Sequence, residues 1–422
     1  MDTRMTTIDR RTLIKLGSTA GLSLLMPSMI GALLGADEPK AEPKKNLSFD
    51  WNRTLVLIEL RGGNDGLNTV IPFSDPAYYE HRKGVAIEAD EVVRLDKDMG
   101  LHPALKGLEQ AWADKDLAIV RGLGYPHPNR SHFRGIDIWH GGSKHDEMAH
   151  DGWIARVVSD AAASVPAQGT DATIADGIVF GYAGTVGHAG FGPLYGQNLR
   201  NLIMNSPEEF IQRARNVPKP PDKQGTAALR HVLTVQNDIA NTANKIEELK
   251  NKAPDLGVKF PRSGVGQHAE HIAKLIAAGA RVPVFKLTID GFDTHANQKP
   301  RHEQLLSDLG GAMTAFRAAL MKSGHWDKVM VMTYSEFGRR VIQNDSGGTD
   351  HGTAAPHFVM GGKVKGGFHG DQPSLSKLDY GDLAYTTDYR SLYLSVAQEW
   401  WGWNKNFLSE KKVKPLGLIR NA

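Results

Sequence analysis

Leu55-Val56-Leu57-Ile58-Glu59-Leu60 runs straight into Arg61-Gly62-Gly63-Asn64-Asp65-Gly66. A near-continuous apolar run ending in paired glycines has the pattern of a strand buried on both faces, as in a parallel sheet. Leu117-Ala118-Ile119-Val120, Val284–Ile289 and Val329–Thr333 repeat it. Between them lie helical patterns at Pro103–Ala113, with proline in the first turn, and at about His302–Lys322. Thr226–Lys250 and Gln267–Ala280 read as two more helices, a helical insertion at about 222–282. A last, aromatic-rich helix at about Tyr389–Trp401 sends Trp400 and Trp401 to the core. The alternation predicts an α/β fold built on a doubly wound, mostly parallel sheet.

The chain has 422 residues, 41% apolar and 23% charged, which suits one large globular domain over 51–422. A net charge of +3, with no basic block interleaved with aromatics, argues against nucleic acid as a partner. Cysteine is absent, so disulfides and thiolate metal sites are excluded, and a bound metal must use His, Asp, Glu or hydroxyl groups.

Asp9-Arg10-Arg11-Thr12-Leu13-Ile14-Lys15 precedes a moderately apolar run from Leu16 to Ala36. The order of charged, apolar and small-residue regions fits an export signal over 1–36, and the paired arginines give it a twin-arginine look. Ser18, Thr19, Ser23, Pro27 and Ser28 dilute the run, so no stable membrane anchor is expected. Residues 37–50, with Pro39, Pro43 and several charges, read as a linker. The expected partner is the twin-arginine export machinery, and the expected location periplasmic or extracellular.

Ligands of such sheets sit at the carboxyl ends of the strands. After Leu60 comes Asn64-Asp65-Gly66; a loop after Val120 leads to Arg130-Ser131-His132-Phe133-Arg134. Ile289 precedes Asp290-Gly291-Phe292-Asp293-Thr294-His295, and Thr333 precedes Ser335-Glu336-Phe337-Gly338-Arg339, then Thr349-Asp350-His351-Gly352. Each piece has a bland alternative. Asn64-Asp65-Gly66 makes a turn, Asp293 caps a helix, Glu336 pairs with a neighbouring arginine, and Asp350 sits in a surface loop. Five together favour one or two divalent metal ions, with zinc, manganese or iron suited to mixed His and carboxylate ligands.

At these residues the chain resembles the exported bacterial family called domain of unknown function 1501, related to alkaline phosphatases and sulfatases. The resemblance implies an alkaline-phosphatase-like fold and an ester hydrolase. It makes Asp65 a metal-binding carboxylate and Ser131 the nucleophile, with Asp293 and His295 on one metal and Asp290 a competitor for Asp293. The second metal admits two alignments. Either Asp350-His351-Gly352 supplies it, or Glu336 does, with Phe337 replacing a histidine and His351 serving the other metal. His132 joins Ser131 as a catalytic candidate, and Arg134 or Arg339 is the anion clamp. Ser131 lacks the proline and the arginine spacing of a formylglycine motif, which argues against that sulfatase chemistry. The expected substrate is a small-molecule or polymer ester. The rival reading is a non-catalytic exported protein that binds a metal or a glycan.

Overall fold

A computed structural model describes residues 47–165, 167, 173–181, 188–216 and 227–420. The expected export signal and most of the expected linker lie outside them. The main sheet has nine strands: β1 (Thr54–Arg61), β2 (Leu117–Gly124), β3 (Gly177–Phe180), β4 (Asn201–Met204), β5 (Val284–Asp290), β6 (Val329–Tyr334), β7 (Ala355–Met360), β8 (Gly367–His369) and β9 (Thr387–Asp388). Their order is β8-β2-β7-β6-β1-β5-β3-β4, with β9 also on β2. All pairings are parallel except those of β7, which runs against both β2 and β6. The expected α/β, mostly parallel sheet is therefore present.

Helices cover both faces. On one face, Val56, Ile58 and Leu60 pack with Ile272 and Leu275 of α5 (Gly264–Ala277) and Leu309 and Phe316 of α6 (Gln298–Lys322). On the other, Leu55 and Leu57 share a core with Ile138 and Trp139 of α1 (His132–Gly141) and Trp153 of α2 (Trp153–Ser164). Tyr389 and Tyr393 of α7 (Tyr389–Leu394) join them, and Trp400 and Trp401 are fully buried there. The short α3 (Pro207–Arg215) and the long α4 (Ala227–Lys252) lie between β4 and α5. No helix of the described residues is long and apolar enough to cross a membrane.

Residues 355–360, which the sequence did not mark as a strand, form β7. Pro356 sits where the register with β2 shifts, a position that tolerates a missing amide donor. Glu59 is the polar interruption in β1, and it is fully buried. Lys286 lies 2.5 Å away on the neighbouring β5, and the Tyr334 hydroxyl donates to it at 3.2 Å. Burial, the largest single effect, opposes its charge, but Lys286, His140 and Arg61 together outweigh it and hold the carboxyl well below its usual range.

Burial keeps several imidazoles neutral, His357 and His302 among them. His357 on β7 is pushed down to about 3, and His302 on α6 to about 4, burial being the largest cause in each. An unfolded imidazole takes its proton near pH 6.5, so below that value the unfolded chain binds more protons and the fold loses stability. Thermal unfolding should show a midpoint that falls as pH drops from about 6.5 towards 3. His357→Leu should flatten that decline, and an identical slope in both proteins would contradict this account.

Candidate metal centre

Three loops meet where β1, β5 and β6 end, and their close approach explains the local sequence. Gly62 and Gly63 both have positive φ, 117° and 81°. A Cβ on Gly62 would lie 2.3 Å from the Asp293 amide nitrogen, and one on Gly63 2.4 Å from the Phe337 ring. Only glycine lets these loops touch. Arg339, with no side-chain exposure, then ties them together. It donates to the carbonyls of Gly63 (2.7 Å), Thr349 (2.8 Å), Phe292 (3.2 Å) and Gly62, and to Asp293 Oδ1 at 2.6 Å.

Around Asp293 stand three imidazoles. His351 Nε2 is 3.2 Å from Asp293 Oδ1, His295 Nε2 is 3.1 Å from the same oxygen, and the two Nε2 atoms are 2.9 Å apart. His132 Nε2 faces Asp293 Oδ2 at 3.4 Å. Donor atoms of His132, Asp293 and His351 all lie within 4.8 Å of one another.

The other ring nitrogens fix the tautomers. His351 Nδ1 is 2.8 Å from the Arg130 carbonyl, which can only accept, so this nitrogen carries the proton. His295 Nδ1 donates to Asp350 Oδ1 at 3.0 Å, and His132 Nδ1 to Glu336 Oε1 at 2.9 Å. All three Nε2 atoms therefore turn lone pairs, when the rings are neutral, towards one carboxylate. Such electron-rich atoms repel unless a cation or shared proton lies among them. Ions bound at about 2.0–2.1 Å bring ligand atoms about 3 Å apart, and histidine ligands held from behind by carboxylates or carbonyls are the usual arrangement. Phe337 walls one side, its ring centroid 4.6 Å from that of His351 and 5.0 Å from that of His132.

The electrostatics follow from these contacts. Burial, the largest single effect, works against the Asp293 charge, yet Arg339 with His132 and His295 together outweigh it and hold the carboxyl below its ordinary value. The hydrogen bond to Glu336 raises His132, whereas burial lowers His351. Asn344, then His295, lowers Asp350 by hydrogen bonding.

Of the site residues expected from sequence, His132, Asp293, His295 and His351 are brought together. Glu336 and Asp350 stand behind them as acceptors for His132 and His295 and do not face the cluster. Asp65 does not join it. The carboxylate is buried against Arg82 at 2.6 Å, also receives Gln298, and caps the short helix Gly66–Thr69 through the Asn68 amide. Neither arginine is free to clamp an anion. Arg339 is spent on carbonyls, and Arg134 donates to the carbonyls of His145 (2.9 Å) and Glu147 (2.6 Å). Ser131 is exposed at the start of α1, and its hydroxyl makes no capping bond. Asp290, the competitor of Asp293, ends β5 exposed, in register with Arg61.

Arg82, Gln298 and Asn344 escaped the sequence reading, as did the carbonyl of Arg130; nothing in residue spacing announces such partners. The Arg339 contacts carry a direct consequence. Arg339→Lys cannot span the same carbonyls and leaves at least one buried acceptor unpaired, so urea unfolding should show a loss of about 1–3 kcal/mol. Unchanged stability would contradict the clamp.

No curated protein matches the chain. Among solved structures it is similar to Ps i-CgsB in complex with k-i-k-neocarrahexaose, at 9% identity and a TM-score of 0.41, over 86% of this chain and 74% of the other. It is similar to a protein in the alkaline phosphatase superfamily from Vibrio parahaemolyticus, at 11% identity and a TM-score of 0.34, over 93% and 75%. The PsFucS1 sulfatase from Pseudoalteromonas sp. is similar at 8% identity and a TM-score of 0.36, over 82% and 67%. The family model described as protein of unknown function (DUF1501) matches residues 222–403, which hold Asp293, His295, Glu336 and His351 but not the motifs at 61–68 and 130–133. Over residues 222–403, less than half of its length, the chain is similar to the DUF1501 family.

Proposed function

We propose that the protein is an exported, metal-dependent hydrolase of phosphate or related esters. The supporting observation is the convergence of His132, His295 and His351 on the Asp293 carboxylate, on the same rim as an exposed serine. The imidazole and carboxylate donors fit zinc, manganese or iron. A divalent ion held there would neutralise charge on the ester oxygens and lower the pKa of a nearby hydroxyl.

The residues of the chain take the following parts. Ser131, exposed and uncapped at the start of the ten-residue α1, is the nucleophile. The amides of that helix start favour negative charge developing beside it. Glu336 receives the His132 Nδ1 proton and so keeps Nε2 turned to the site. Phe337, 4% exposed, keeps water off one side of His132 and His351. Residues 1–36 would send the protein through the twin-arginine pathway, which carries folded proteins and suits a centre loaded before export.

One observation favours a second reading, a non-catalytic metal- or glycan-binding protein. Both arginines that could have held an anion are committed to backbone carbonyls. Hydrolysis separates the two readings. Purified protein loaded with zinc, manganese or iron(II) should turn over at least one substrate among phosphomonoesters, phosphodiesters and sulfate esters. Ser131→Ala should lower that rate by at least about a thousandfold. No turnover above the Ser131→Ala level on any substrate would contradict the proposal.

A further inference from the structure

We infer that the centre holds a single ion, bound by Nε2 of His132, His295 and His351 and by Asp293, and that the carboxylates able to serve a second ion have become supports. The inference deepens the proposed function, resting on it only for the presence of a metal.

Two-ion centres place the ions about 3.5–4 Å apart, and each ion needs its own ligands. Besides Asp290, which ends β5 in register with Arg61, the sequence offers three further carboxylates, and the fold engages each. Asp65, 1% exposed, has Oδ2 occupied by Arg82 and Gln298, while Oδ1 takes the Asn68 amide. Glu336, 2% exposed, has Oε1 shared by the Gly62 amide at 2.8 Å and His132 Nδ1 at 2.9 Å, with Oε2 taking the Ser335 hydroxyl at 3.2 Å. Asp350 Oδ1 receives His295 Nδ1 and the Asn344 amide at 3.1 Å. Freeing Asp65 would strand the Arg82 guanidinium, itself without side-chain exposure. Breaking such a buried pair is strongly destabilising, because it leaves an uncompensated buried charge.

The remaining donors form one set. Asp293 and His351 belong both to the triad with His132 and to the triad with His295. A site at that shared pair can draw on all four side chains. Glu336, Asp350 and the Arg130 carbonyl are then positioning groups, acting through the ring nitrogen opposite the site.

The test is metal content and affinity, read apart from turnover. Protein dialysed against zinc should carry one ion per chain by mass spectrometry, and the cobalt(II) form should show one set of ligand-field bands. In a chelator competition, His295→Ala should weaken zinc at least a hundredfold. Asp350→Ala removes the acceptor of His295 Nδ1 from an exposed position (side chain 55% exposed) that the fold tolerates, and should weaken zinc about 10–100-fold. Glu336→Ala should do the same, whereas Glu336→Gln, whose amide oxygen still accepts from Nδ1, should recover most of the affinity. Two ions per chain, no zinc at all, or unchanged affinity in both His295→Ala and Asp350→Ala would overturn the inference. One ion without hydrolysis would sink the hydrolase and leave the inference standing. Two ions with hydrolysis would do the reverse.

Discussion

Everything at the rim depends on a buried guanidinium. Three loops leave parallel strands and turn inward, and a loop that turns inward brings carbonyl groups without partners. An unpaired buried carbonyl costs about as much as the rest of a good contact provides. Arg339 resolves this by spreading its donors over Gly62, Gly63, Phe292 and Thr349. Lysine, a single point charge, has no such fork. The same packing explains why the β1 exit is Gly62-Gly63: any side chain there would collide with the Asp293 backbone or the Phe337 ring. The clamp also reaches Asp293 Oδ1, so the group that ties the loops fixes the carboxylate at the centre.

The imidazoles are fixed differently. Each gives one nitrogen to an acceptor belonging to the scaffold and turns the other to Asp293. Glu336 is anchored by the Gly62 amide and Asp350 by Asn344, so the acceptors are themselves held. This two-layer construction makes the direction of three lone pairs a property of the fold. His132, at the first position of α1, and His351, on the loop before β7, come together only because β2 and β7 are paired.

How much of this was legible in the sequence follows from where information about direction resides. The buried strands announced themselves because burial on both faces forces a continuous apolar run, as in Leu55–Leu60 and Val329–Thr333. Strand β7 was hidden by Pro356 and by a polar histidine that the interior accepts in neutral form. Strands β3 and β4 have only four residues each, too few for periodicity to speak. At the site, residue type was readable and orientation was not. Asp65 and Glu336 have the chemistry of ligands, but Arg82 lies seventeen residues from the first, and the second is claimed by His132, 204 residues away. Arg339 similarly has the chemistry of an anion clamp and the surroundings of a structural tie. Long-range contacts decide between these roles, and spacing along the chain does not encode them.

The central claim is that three ε-nitrogens and one carboxylate face a common point. Anomalous diffraction at the zinc edge, on crystals of the metal-loaded protein, tests it most directly. The account predicts one peak about 2.0–2.2 Å from Asp293 and the three Nε2 atoms. A peak beside Asp65 or Glu336, or histidines bound through Nδ1, would contradict it.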